Sequence, residues 1–311
     1  MILQTGLRTD IPAFYTPWFL QRLLEGFVLS RNPYNPRQVT RYRLSPDVVD
    51  CIGFCTKNPA PMLPHMEKLA DFGQFWFVTI TPYGRDIEPH VPPKEQVMAD
   101  FRRLSAIVGT KCVAWRYDPI LLTDVYTVER HLQDFAAMCA VLEGATETCV
   151  ISFIDLYDKV KRNFPEVRSV RREDRLLLGR EMAAIAAQHG IRVKSCCEGD
   201  ELAPFGVDCS GCMTLSTYEK ALGCRLNAPR QAKTSRGCLC HLSADIGAYN
   251  TCGHGCRYCY ANYDEASVRR AMAQHDPRSP LLMGHVQPGD VVRDAAQISW
   301  RDGQITLPEL L

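Results

Sequence analysis

The chain has almost no net charge, no long apolar run and no low-complexity tract, and each absence removes a class of function. Its 36 lysines and arginines face 35 aspartates and glutamates, a net charge of +1. No global field therefore draws nucleic acid or an anionic membrane to the surface. No run of eighteen apolar residues offers a membrane span. No N-terminal segment carries the charged, apolar and small-residue zones of a secretory signal, so the expected location is the cytoplasm. No internal repeat or linker tract suggests a solenoid or a tether. What remains is a globular chain, 46% hydrophobic over 311 residues, able to bury a sizeable core.

Cysteine is what the chain has in excess. Of 15 cysteines, Cys51, Cys55, Cys112, Cys139 and Cys149 stand singly in apolar segments, as core thiols do. The other ten crowd into residues 196 to 259. In a reducing compartment that crowding points to metal or cluster ligation before disulfides.

Short apolar segments alternate with amphipathic ones. Strands are expected at Ile2–Leu7, Cys51–Cys55, Phe75–Ile80, Cys112–Trp115, Cys149–Ile154 and Ile191–Ser195, with one more at Ala244–Tyr249. Helical periodicity runs through AFYTPWFLQRLLEGF, PPKEQVMADFRRLSAIVG, TVERHLQDFAAMCAVLEG and REDRLLLGREMAAIAAQHG, the last three closing on glycine. This alternation implies α/β architecture with a parallel sheet, a full or partial (β/α) barrel. Residues 1–200 would supply most barrel units, and a Cys-rich segment, 201–311, would complete the same structural domain.

Polar residues follow each strand: Arg8 and Asp10, Lys57, Thr81, Arg116 and Asp118, Asp155, then Cys196, Cys197 and Glu198. Strand C-termini build the active site in parallel α/β proteins, so these residues should gather at one mouth. Any single aspartate could equally be a helix cap. Glu198 reads as a turn carboxylate. Arg31, Lys57 and Arg116 would place cations near the mouth and suit an anionic substrate.

The stretch NTCGHGCRYCYANY sets Cys252, Cys256 and Cys259 at C-x3-C-x2-C spacing, with Gly253 and Gly255 allowing a tight curl. Three thiolates suit a four-iron cluster with one open iron, whereas structural zinc normally takes four ligands. With an aromatic before the third cysteine, this motif resembles that of the radical S-adenosylmethionine (SAM) enzymes. The resemblance implies a full or partial (β/α) barrel and a [4Fe–4S] cluster on Cys252, Cys256 and Cys259. It also implies SAM bound at the open iron, Tyr258 against the adenine, and an electron donor such as flavodoxin or ferredoxin. Those enzymes carry the motif after the first strand, and here it follows the last, as a circularly permuted barrel would have it. The Gly-Gly-Glu stretch that often holds the SAM amino group there has no counterpart. RTDIPAFY, RNPYNP, TKNP, TPYG, WRYDPIL, SFIDLY and DIGAYNTCGHGCRYCYANY, in this order, resemble a bacterial family, the domain of unknown function 1848. That family is noted for a C-terminal cysteine cluster like that of radical SAM proteins. CRYCYANY is also similar to the spore photoproduct lyase group, which implies DNA repair as an alternative.

A second [4Fe–4S] cluster or a zinc ion could draw on Cys197, the CxxC pair Cys209 and Cys212, Cys224, and the close pair Cys238 and Cys240. On a rival reading, the cysteines belong to a non-catalytic zinc- or iron–sulfur-binding module. His241 and His254 beside cysteines read as solvated residues or as partners of the ligands. The basic stretch KVKRNFPEVRSVRREDR reads as a solvated helix face before a nucleic-acid contact, because acidic residues interrupt it.

Overall fold

The computed structural model describes residues 1–231, 240–241 and 244–302. Strand β1 (Ile2–Gln4) leads into helices α1 (Ile11–Phe14) and α2 (Thr16–Glu25), and a hairpin, β2 (Phe27–Arg31) and β3 (Gln38–Arg43), follows. Strands β4 (Cys51–Thr56) and β5 (Gln74–Thr79), helix α3 (Lys94–Val108) and strand β6 (Val113–Ile120) come next. Helix α4 (Val128–Leu142), strand β7 (Thr148–Phe153), helices α5 (Asp158–Asn163) and α6 (Arg172–Gln188), and strand β8 (Arg192–Ser195) continue the alternation. The C-terminal part holds α7 (Leu215–Leu222), β9 (Ala244–Asp245), α8 (Glu265–Met272) and β10 (Val291–Asp294).

Seven strands form one parallel sheet in the order β8-β7-β6-β5-β4-β1-β9. Read from β9, the remaining strands follow in chain order. A closed barrel, one of the two expected forms, is not made: β8 and β9 are the two edges, and no ladder joins them among the described residues. The seven strands expected from sequence are the seven of this sheet, but their lengths differ. Strand β1 stops at Gln4 and β9 at Asp245, while β6 runs on to Ile120 through an irregular register after Tyr117.

Period-two alternation divides each strand between two cores. Leu3, Ile52, Phe54, Trp76, Val78, Trp115 and Ile151 face the helices, where Phe101, Phe135 and Met182 meet them. Ile2, Cys51, Phe75, Phe77, Ala114 and Val150 face the other way and are covered by Cys212, Met213, Tyr218, Leu226, Cys240 and Trp300. The C-terminal segment thus fills the concave side of the sheet at its N-terminal strand ends.

Two features differ from expectation. The helix over residues 13 to 27 is two helices, α1 capped by the Asp10 carboxylate and α2 opening with Pro17 in its first turn, where a missing N–H costs nothing. A second sheet, β10-β3-β2, was not anticipated: RNPYNP turns β2 back antiparallel onto β3, and β10 pairs parallel with β3. No helix among the described residues is long and apolar enough to cross a membrane.

Helix α7 is anchored by a buried polar contact: the fully buried Gln4 donates Nε2 to the Tyr218 hydroxyl at 2.7 Å. Tyr218→Phe leaves that amide without its acceptor, and urea unfolding should show a loss of about 1–3 kcal/mol. Unchanged stability would show that the contact does not hold the segment down.

Candidate active site and metal centre

The same alternation that fills the concave face with apolar residues at one end delivers polar ones at the other. Cys55 of β4, Thr79 of β5, Arg116 and Asp118 of β6 and Ser152 of β7 line a cavity of about 430 Å³ at the C-terminal strand ends. Cys252, Cys256 and Cys259 line it too, with Asp10, Lys57, Asp155 and Tyr258. Asp10, Lys57, Arg116, Asp118 and Asp155, all expected at the mouth from sequence, meet here. Arg8 does not: its guanidinium bonds Asp245 on β9, Nε to Oδ2 at 2.6 Å, and ties the edge strand to the chain leaving β1. Arg31 is absent as well, held on the second sheet by Asp290 at 2.7 and 2.9 Å.

The cysteine loop is fixed at both ends. Tyr15 donates its hydroxyl to the Thr251 carbonyl at 2.6 Å, and Thr251 Oγ1 donates to Thr9 Oγ1 at 2.7 Å. Asn262 Nδ2 donates to the Cys252 carbonyl at 2.7 Å. Gly255 has φ +69°, which a side chain rarely adopts, and a Cβ on Gly253 would lie 2.9 Å from the Phe14 ring. Asp10 is both cap and site residue. Its Oδ1 accepts the Ala13 N–H at 3.0 Å, while Oδ2 accepts the Lys57 N–H and pairs with His254 Nε2, each at 2.8 Å. His254 is accordingly buried, not solvated.

Across the cavity, Glu88 Oε1 gathers Lys57 Nζ at 2.9 Å, Thr81 Oγ1 at 2.7 Å and the Tyr258 hydroxyl. Burial works against the Glu88 carboxylate, but the Lys57 ammonium and these hydrogen bonds hold its pKa below the ordinary value. Lys57 is raised despite its own burial, chiefly by Glu88. Asp118 takes Arg116 and the Ser152 hydroxyl. The cavity's cations are thus paired one by one with carboxylates.

Burial, then Asp10 and the neighbouring cysteines, push Cys252 well above its usual range; burial also raises Cys256, with Lys57 opposing. At these two positions a thiolate would need a bound cation to offset its burial. The three loop sulfurs are not gathered tightly enough for one ion. Among the described residues, the group of three donors with all ligand atoms within 4.8 Å of one another is Cys196, Cys212 and Cys240. A multinuclear cluster gives each thiolate its own iron and so suits the wider loop set.

That tight group corrects the expected second ligand set. Cys212 and Cys240 belong to it, but Cys209 bonds the Val207 carbonyl instead, and neither Cys197 nor Cys224 is in the group. Cys196 takes the third position, because it lies on the concave side as the chain leaves β8. Cys238 lies outside the described residues. This triad could hold a metal ion. The basic stretch behaves as a solvated face: Arg171 pairs with Asp174, and Arg172 and Arg175 pair with Glu201.

Glu88 was missed from sequence because YGRDIEPH has neither strand nor helix periodicity to place it. Glu198 is more than a turn carboxylate. Its Oε1 accepts the Phe153 N–H at 2.9 Å, and burial raises its pKa to about 7.

The chain belongs to the family defined by the domain of unknown function DUF1848, whose model matches residues 2–261. That span runs from β1 through the cysteine loop and stops short of α8. No curated protein and no solved structure matches the chain.

Glu198 generates a pH prediction. Its folded pKa is raised, so between about pH 4.5 and 7 the folded chain keeps a proton the unfolded chain has lost. The stability this contributes is full below the unfolded pKa and is lost as pH rises through the folded one. Glu198→Gln should therefore gain on the wild type by on the order of 1–3 kcal/mol between pH 5 and 8. Stability–pH profiles that run parallel would refute the shift.

Proposed function

We propose that the protein is a radical SAM enzyme on a circularly permuted β/α sheet, with a [4Fe–4S] cluster held by Cys252, Cys256 and Cys259. What carries the reading is that these three cysteines open onto the charged cavity at the strand ends while lying too far apart to share one ion. The strand order supports it: β9, which leads into the motif, occupies the place of a first strand.

When bound, the cluster and SAM would supply the electron and the carbon radical that start the reaction. The chain's own residues bind, orient and exclude water. A cavity of about 430 Å³ is of small-molecule size. Because Lys57 is paired with Glu88 and Arg116 with Asp118, the wall offers both signs of charge at close range. That pattern suits a zwitterionic head group such as the amino-acid end of SAM better than a polyanion, and it disfavours the DNA-repair alternative. Tyr258 is held by Glu88, with its ring 5.6 Å from Lys57 Nζ, so contacts within the chain orient the aromatic wall. The reductant would be an external one-electron donor such as flavodoxin or ferredoxin.

Protein purified without oxygen should be brown and contain about four irons with matching sulfide at this site. Cys256→Ser should lose that iron and reductive SAM cleavage while keeping the wild-type circular dichroism. A variant that keeps its iron, or a colourless wild type holding zinc alone, would overturn the assignment.

A further inference from the structure

The second cysteine group lies where the sheet fails to close. Cys196 directly follows β8, one edge of the parallel sheet, and its N–H still bonds the Ile151 carbonyl of β7 at 3.1 Å. Cys240 precedes β9, the opposite edge, by four positions. Cys212 comes from the loop before α7, on the concave side between them. These segments, distant in the strand order, nevertheless bring three sulfurs together: Cys212 Sγ is 3.2 Å from Cys196 Sγ and 3.5 Å from Cys240 Sγ.

Those separations decide between metals. With Zn–S bonds of about 2.3 Å, tetrahedral thiolates on one ion sit about 3.8 Å apart. Thiolates on separate irons of a cluster must stand wider. The Cys212 site is therefore the size of one ion, the loop site is not, and the two should select different metals. The ligand backbone is already organised. The Met213 N–H points at Cys240 Sγ at 3.2 Å, and the His241 N–H bonds the Met213 carbonyl at 2.7 Å. His241 is 6% exposed, and its Nε2 has no hydrogen-bond partner among the described residues. Cys197, its Sγ 3.9 Å from that of Cys196, is the next sulfur beyond the group of three.

We infer that Cys196, Cys212 and Cys240 bind a single zinc-class divalent ion that clasps the two edges of the open sheet together, completing by coordination a ring that strand pairing leaves open. Binding replaces three thiol protons, released to solvent, by three metal–sulfur bonds, with no change of oxidation state. The ion is structural and its three ligands are not those of the cluster, although Cys196 borders the same cavity, so this inference does not depend on the proposed SAM chemistry.

The test is metal analysis of the full chain purified without oxygen, comparing wild type, Cys212→Ser and Cys256→Ser. One zinc per chain is expected in the wild type, lost in Cys212→Ser with iron retained, whereas Cys256→Ser shows the reverse. Failure of the cluster reading would appear as missing iron, with the zinc result untouched. Zinc-edge X-ray absorption on the wild type reads the site without any variant and should show a sulfur-dominated shell at about 2.3 Å. Hydrogen exchange should then run at least tenfold faster in Cys212→Ser at the amides of β8 and β9, with β5 unchanged. A zinc-free wild type, a shell without sulfur, a Cys196–Cys212 disulfide in the anaerobic protein, or equal iron loss in both variants would overturn the inference. Unchanged exchange at both edges would overturn the clasp.

Discussion

The Asp10 carboxylate is the point at which this molecule is tied together. A buried carboxylate must be fully partnered, and Asp10 finds its partners in three parts of the chain: the first turn of α1, the Lys57 backbone after β4, and His254 inside the cysteine loop. Each of these would be positioned poorly by local structure alone. Helix α1 is one turn long, the Lys57 turn is irregular, and the loop is glycine-rich. Held by one charged group, they become a rigid wall that presents the loop cysteines to the cavity.

The two cysteine groups show how spacing in space, not in sequence, sorts thiols by chemistry. In both, a thiol is raised above its ordinary range: Cys252 and Cys256 in the loop by burial, and Cys212 in the triad by hydrogen bonds with Cys196 and Cys240 and then by burial. The loop cysteines sit three and four residues apart on one curling segment, and yet their sulfurs spread around a cavity. The triad draws on positions 196, 212 and 240, and its sulfurs nearly touch. Arg116 stands on the triad's side of the cavity, pairing with Asp118 while its charge also acts on Cys55, Cys196 and Cys212. A permanent guanidinium there stabilises negative charge on the triad without competing as a ligand.

What could be read from the sequence was whatever repeats or is spaced locally. The strands declared themselves by short apolar runs, their shared direction by the helices between them, and the cysteine loop at the cavity by its C-x3-C-x2-C pattern. Partners chosen across the fold could not be read that way. Arg8 and Arg31 were expected at the mouth because they follow or end apolar segments, but Asp245 and Asp290, more than two hundred residues away, take them. Glu88 sits in an aperiodic loop and comes to hold the cavity residues Lys57 and Tyr258 from behind only because they and Thr81 converge on it. Cys209 looked like a ligand because CxxC pairs often are. Cys196 displaced it because alternation after β8 turns its side chain to the concave face.

The order of the chain has a consequence for assembly. Strands β1 and β4 to β8, which build the cavity wall, all precede the cysteine loop, and β9 adds to β1 only after some 240 residues. Pairing of that kind has high sequence separation and forms slowly against loop-closure entropy. The wall can form first, since Lys57–Glu88 and Arg116–Asp118 need nothing from the C-terminal part. His254 and the three cysteines lie on one short segment, so the contact that completes the partners of Asp10 is also the one that brings Cys252, Cys256 and Cys259 to the cavity.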